Sequence, residues 1–168
     1  MSRLAVLQTL EKSLSREEIH VLTSNHSDVP ARPCFVLAGS SYRIPQEKWF
    51  STLSKSDFFL ACPGGAMPLC HNVVEAMAVG AIPILEYPEY LEPPLKHGVN
   101  CLVFSGPQEL LRIMRRAFQM KPAQIIAMRK AARDYYRRHL APGLFARAVM
   151  DSPRRELTLL FNSAHVRR

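Results

Sequence analysis

The chain has 168 residues, of which 48% are hydrophobic and 21% charged, so it is long and apolar enough to bury roughly two thirds of the surface its unfolded form would expose, and too apolar for a disordered tail. Its net charge of +8 is unevenly spread: residues 1–110 hold 8 Lys/Arg against 11 Asp/Glu, a balance of −3, while residues 111–168 hold 14 against 3, a balance of +11. The longest uncharged run, Phe58 to Val74, is broken by Pro63, Gly64, Gly65 and Pro68 and falls short of the ~20 apolar residues of a spanning helix, so no transmembrane segment is expected.

In chain order, residues 1–33 read as an N-terminal helix, a short strand and a loop. Leu4, Leu7, Leu10 and Leu14 make a helical stripe within residues 3–18, Ile19 to Thr23 is extended, and Ser24 to Pro33 is polar and proline-bearing. The first twenty residues carry six charged side chains and no apolar block before a small-residue cleavage site, so a secretion signal is not expected and the cytoplasm is the expected compartment.

Residues 34–120 read as an α/β core. Cys34 to Ala38, Asp57 to Cys62 and Ala81 to Leu85 are short apolar runs of the kind that parallel sheets bury on both faces. Between them lie a short helix, Gln46 to Leu53, and a second helix from Pro68 to Val79, with proline in its first turn and Gly80 suited to its C-terminal cap. Leu102 to Phe104 forms a further strand after the Gly98-Val99-Asn100 turn. Pro107 to Met120 is a helix with Leu110, Leu111, Met114 and Phe118 inward. The alternation predicts a single α/β domain, a Rossmann-like parallel sheet flanked by helices.

Residues 121–168 read as basic C-terminal helices: Pro122 to His139, with Ile125, Ile126, Met128, Ala132 and Tyr136 available to pack, then Leu144 to Met150 and Arg154 to Ser163. Cys34, Cys62, Cys70 and Cys101 show no C-x-x-C or Cys/His spacing, so they read as reduced structural thiols, and no metal site is expected.

The candidate site is the loop after the second core strand and the helix that follows. Open α/β sheets bind ligands beyond the carboxyl ends of their strands, where the N–H groups of the next helix are unpaired. Gly64 and Gly65 let the backbone approach a ligand, and the helix start favours a diphosphate. His71, Asn72 and Glu75 are three and four residues apart, which gathers them on one helix face. Glu75 lies among Val73, Val74, Ala76, Met77, Ala78 and Val79, where a carboxylate is costly unless hydrogen-bonded. Ribose hydroxyls would serve, as would His71 or a neighbouring loop. Arg43, in the Gly39-Ser40-Ser41-Tyr42-Arg43 loop, could neutralise phosphate at the same sheet edge, and Glu86 to Tyr90 lies beyond the next strand.

Glu75-Ala76-Met77-Ala78, Gly80, Ile82-Pro83-Ile84 and the segment Leu95 to Leu102 resemble, as a set, the donor-binding domain of GT-B fold glycosyltransferases, particularly exostosin-like members. The resemblance covers residues 34–120. It implies half of a GT-B fold that binds a nucleoside diphosphate sugar as donor substrate, with no separate cofactor. It further implies that Glu75 binds the ribose, that Gly64 to Met67 lies by the diphosphate and sugar, and that His71 takes a phosphate or sugar contact. Two positions depart from the family pattern. Met67 stands where many relatives carry a second glutamate, and His71 and Asn72 stand where exostosin-type sequences often carry arginine.

Such enzymes take their acceptor, and usually their catalytic base, from an N-terminal domain that these residues do not contain. A missing N-terminal acceptor domain or partner subunit is therefore expected, with transfer of a sugar as the reaction. The alternative is a non-catalytic nucleotide-binding or interaction module. A third reading gives Arg112, Arg115, Arg116, Arg129, Lys130, Arg133, Arg137 and Arg138 to an anionic membrane surface, making the chain peripheral. Nucleic acid is the weaker competitor, since only Tyr135 and Tyr136 interleave the charges and no nucleic-acid motif is present.

Overall fold

Strands that lack charge can lie between two layers of helix, and Ile82–Leu85 is the extreme case here, since all four of its residues are buried. The computed structural model describes residues 1–24, 32–38, 42–63 and 69–153. In order these form α1 (Arg3–Ser13), β1 (Ile19–Leu22), β2 (Phe35–Ala38), α2 (Gln46–Ser54), β3 (Phe58–Leu60), α3 (His71–Val79), β4 (Ile82–Leu85) and a 3-10 turn (Pro88–Tyr90). They continue as β5 (Leu102–Val103), α4 (Gly106–Phe118), α5 (Pro122–Tyr135), a π-helical turn (Tyr136–Leu140) and α6 (Leu144–Met150). The expected helix Arg154 to Ser163 lies outside the described residues, as do 25–31 of the polar loop and Gly39-Ser40-Ser41.

The chain is thus α/β, with parallel strands flanked by helices. The strands form two ladders rather than one: β1 pairs with β2, and β3, β4 and β5 make a sheet in that order. Among the described residues every strand pairing is parallel, with Ile19 opposite Phe35, Phe58 opposite Ile82 and Ile84 opposite Leu102. Proline rarely sits in a central strand because it removes a ladder donor. Ile82 N–H donates to Asp57 O, so residues 82 and 84 turn their polar groups toward β3. Pro83 therefore lacks its donor on the β5 side, where the ladder starts only at Ile84 and Leu102.

Alternation along β4 divides the core. Ile82 and Ile84 pack with Val6, Leu10 and Leu14 at α1 and with Leu110, Ile113, Met114 and Ala117 of α4. Leu85 packs instead with Val73 and Met77 of α3, Ala132 and Tyr135 of α5, and Cys101. Ile19, Phe35, Phe58 and Leu60 adjoin the first cluster, so both ladders share it. Each fully buried Leu or Ile contributes about 1.5–3 kcal/mol.

Several inward faces differ from the expected ones. In α1 the buried residues are Val6 and Leu10, and Leu14 just past its end continues the i, i+4, i+8 row, which leaves Leu4 at 64% exposure. In α4 the centre of the face is Leu110, Ile113, Met114 and Ala117, with Leu111 and Phe118 half-buried at its margin. In α5, Met128, Ala132 and Tyr135 face inward and Ile126 is 67% exposed. Tyr135 takes the inward place expected for Tyr136 because its hydroxyl donates to Pro93 O, which lets a polar tip enter the core.

Gly80 caps α3 at φ 79°, as its sequence position suggested, and Ala81 N–H returns to Ala76 O. The Gly98-Val99-Asn100 turn also forms. Asn100 is 8% exposed, and its Oδ1 accepts the N–H of Lys96 at 2.7 Å. Among the described residues no helix is long and apolar enough to cross a membrane.

Candidate functional site

The segment β3, loop, α3 and β4 is a parallel crossover, so the start of α3 lies at the carboxyl edge of the three-stranded sheet. The helix is shorter than expected and opens at His71, after Cys70 in an extended conformation, without a side-chain cap. Gly64, Gly65 and Met67 lie outside the described residues, as does Pro68. A small cavity opens beside this edge, lined by Pro63, Leu69, Val73, Leu85, Glu86 and Tyr87. Its volume of about 10 Å³ is that of a single water.

His71 is exposed on the first turn of α3. Asn72 is half-buried, and its Oδ1 accepts from the Cys70 thiol at 3.1 Å. Glu75 is half-buried one turn further on. Its Oε2 accepts the indole N–H of Trp49 at 2.7 Å, which answers the desolvation cost that marked this residue in the sequence. The partner is neither His71 nor a loop but α2, packed across α3. Arg43 is exposed, three residues before α2 begins. The structure thus joins Glu75 to α2 and sets His71 and Asn72 at the sheet edge.

Trp49 is the residue that sequence reasoning missed. Its ring meets Phe59 of β3 edge-on, with centroids 6.2 Å apart, and it packs with Leu53, Ala76 and Val79 where α2, β3 and α3 meet. The signal was available: it is the chain's one tryptophan, and a buried indole N–H needs an acceptor.

Glu86, the polar residue after β4, is turned to structural use. Its carboxylate forms an ion pair with the Met1 ammonium and accepts from Gly106 N–H at 3.3 Å, tying the start of α1 to the start of α4. Tyr87 and Tyr90 stack edge to face with centroids 5.8 Å apart.

The four cysteines are free thiols. Burial pushes the Cys101 thiol up to about 12. Burial also raises Cys62, with Arg3 drawing it partly back. Among the described residues no group of His, Cys, Asp and Glu side chains could hold a metal ion. Comparison of the chain with models of protein families, with curated proteins and with solved structures gives no match.

Proposed function

We propose that this chain is the donor-binding half of a Rossmann-like, GT-B type glycosyltransferase, holding a nucleoside diphosphate sugar at the carboxyl edge of β3 and β4. The observation that carries the reading is Glu75: a half-buried carboxylate on α3 whose Oε2 is fixed by Trp49. An ionised carboxylate offers about four acceptor sites, and the indole occupies one. Ribose hydroxyls donating to the others would complete its hydrogen bonding. His71 and the N–H groups of the first turn of α3 would meet the diphosphate, and the helix start and cationic side chains would stabilise it as leaving group. Arg43 would add a further charge. The acceptor and a catalytic base would come from an N-terminal domain or a partner subunit, and the medium would be the cytoplasm.

The same Trp49 bond favours a second reading, in which Glu75 only fastens α2 to α3 and the chain is a non-catalytic module. Thermal unfolding with UDP, GDP, CMP and their sugars separates the two. A ligand at 100 times its Kd stabilises by about 2.7 kcal/mol, and in Glu75→Ala that gain should disappear. If Glu75→Ala melts lower but is stabilised as much as the wild type, Glu75 is the fastener. If no nucleotide stabilises the wild type, the donor-site reading fails.

A further inference from the structure

At the opposite edge of the sheet, α4 presents Arg112, Arg115 and Arg116 to an open groove of about 710 Å³. Arg112 is held by Glu109 one turn earlier, and Glu109 also accepts Ser105 N–H at 2.8 Å. Arg116 also lies against His97, on the turn before β5. His97 Nδ1 accepts the backbone N–H of Val103 at 2.9 Å. A neutral imidazole that accepts at Nδ1 carries its proton on Nε2. That Nε2 stands 3.3 Å from Arg116 Nη1, which can only donate. Two donors therefore converge, and neither can accept from the other. An oxyanion accepting from both would turn an unfavourable contact into two hydrogen bonds, at least one of them charge-assisted.

We propose that His97 Nε2 and the Arg116 guanidinium bind a phosphate group. Arg116 carries the charge that matches the anion, since Glu109 offsets Arg112 and also lies near enough to His97 to interact with it electrostatically, and Glu18 does the same for Arg115. The ligand is inorganic phosphate or a soluble phosphomonoester on the one hand, or an anionic lipid headgroup on the other. For the second source, Val99 adds an exposed apolar side chain two residues from His97, at 52% exposure. The site does not depend on nucleotide binding at α3.

The full chain is titrated with inorganic phosphate at constant ionic strength while the side-chain nitrogen shifts of His97 and Arg116 are followed. Both should move saturably. Arg116→Gln should bind about tenfold more weakly, which is the loss of one charge-assisted bond, and Arg116→Lys should fall between. Arg147→Gln, an exposed arginine on α6, should bind as the wild type does. Sedimentation with phosphatidylcholine vesicles, with and without phosphatidic acid, identifies the source. Retention by phosphatidic acid that Arg116→Gln abolishes assigns the lipid headgroup, and a phosphate-induced shift without retention assigns a soluble ligand. The proposal is overturned if phosphate moves neither residue and both vesicles retain the chain equally, or if Arg116→Gln titrates like the wild type.

Discussion

α4 and α5 both come from the strongly basic part of the chain, yet their arginines do different things. On α5, Arg129 reaches back to the end of α2. Its Nη1 donates to Ser56 O at 2.6 Å and Asp57 Oδ1 at 2.8 Å, and its Nη2 donates to Ser54 O at 3.1 Å. Arg133 does the same for α3, donating from Nη2 to Val79 O at 3.0 Å. Ser54 O and Val79 O are among the carbonyls that helix C-termini leave unpaired, where a cation also meets the negative end of the dipole. On α4, Arg115 and Arg116 instead remain exposed over a groove. A charge count treats the two helices alike, but the arginines of α5 fasten the pair of helices that carries Trp49 and Glu75, and those of α4 face outward. Arg129 and Arg133 thus leave the set of cations assigned from sequence to an anionic surface.

The largest effect should come from breaking that fastening. Arg129→Ala removes three hydrogen bonds from a charged donor and should cost about 2–3 kcal/mol in denaturant unfolding. Arg115→Ala should stay within about 0.5 kcal/mol. Equal losses for the two would erase the distinction between the helices. Next comes Gly80→Ala. The left-handed φ alone makes an L residue costly, and the added Cβ would sit 2.9 Å from Arg133 Nη2. A loss of about 1–2 kcal/mol is expected. In an Arg133→Ala background the steric part should disappear while the backbone part remains, a coupling that a double-mutant cycle reads directly.

Trp49→Phe should cost about 1 kcal/mol, because the Glu75 carboxylate loses its donor in a half-buried site. Glu75→Gln should cost less, since an amide oxygen still accepts from the indole. If the two variants are equally destabilised, the charge on Glu75 rather than the acceptor it offers is what α2 responds to.

The strands were legible in the sequence because uncharged runs such as Ile82 to Leu85 have only one comfortable place in an α/β fold. Helix ends were legible where a special residue marked them, as Gly80 does. Helix faces were less so. A four-residue leucine stripe fits several rotations, and in α1 only packing against Ile82 and Ile84 selects Val6, Leu10 and Leu14. The site was legible as an anomaly, a glutamate among aliphatic residues, but not as a contact. Its partner lies 26 residues away, on a helix whose own sequence is polar. Long-range capping by Arg129, across 73 residues to Ser56, leaves no mark on local sequence at all.

The smallest effect sharpens the comparison within α5 itself. Lys130, next to Arg129, points outward and pairs with Asp134 at 2.6 Å on the exposed side of the helix. The hydrogen bond from Lys130, with Lys130, Arg137 and Arg138 nearby, holds the Asp134 carboxyl below the usual carboxylate range. A lowered pKa means that this pair stabilises the fold above the ordinary carboxylate pKa and loses its effect as pH falls through the lowered value. Asp134→Asn should therefore remove a shallow acid-side slope from the pH dependence of the unfolding midpoint. High salt should flatten the wild-type slope in the same way, because exposed charges are screened. Arg129→Ala should remain destabilised at both salt concentrations, since two of its three acceptors are neutral carbonyls. A salt response that tracks Arg129 as closely as Lys130 would mean that α5 is held by its overall charge, and not by hydrogen bonds to the ends of α2 and α3.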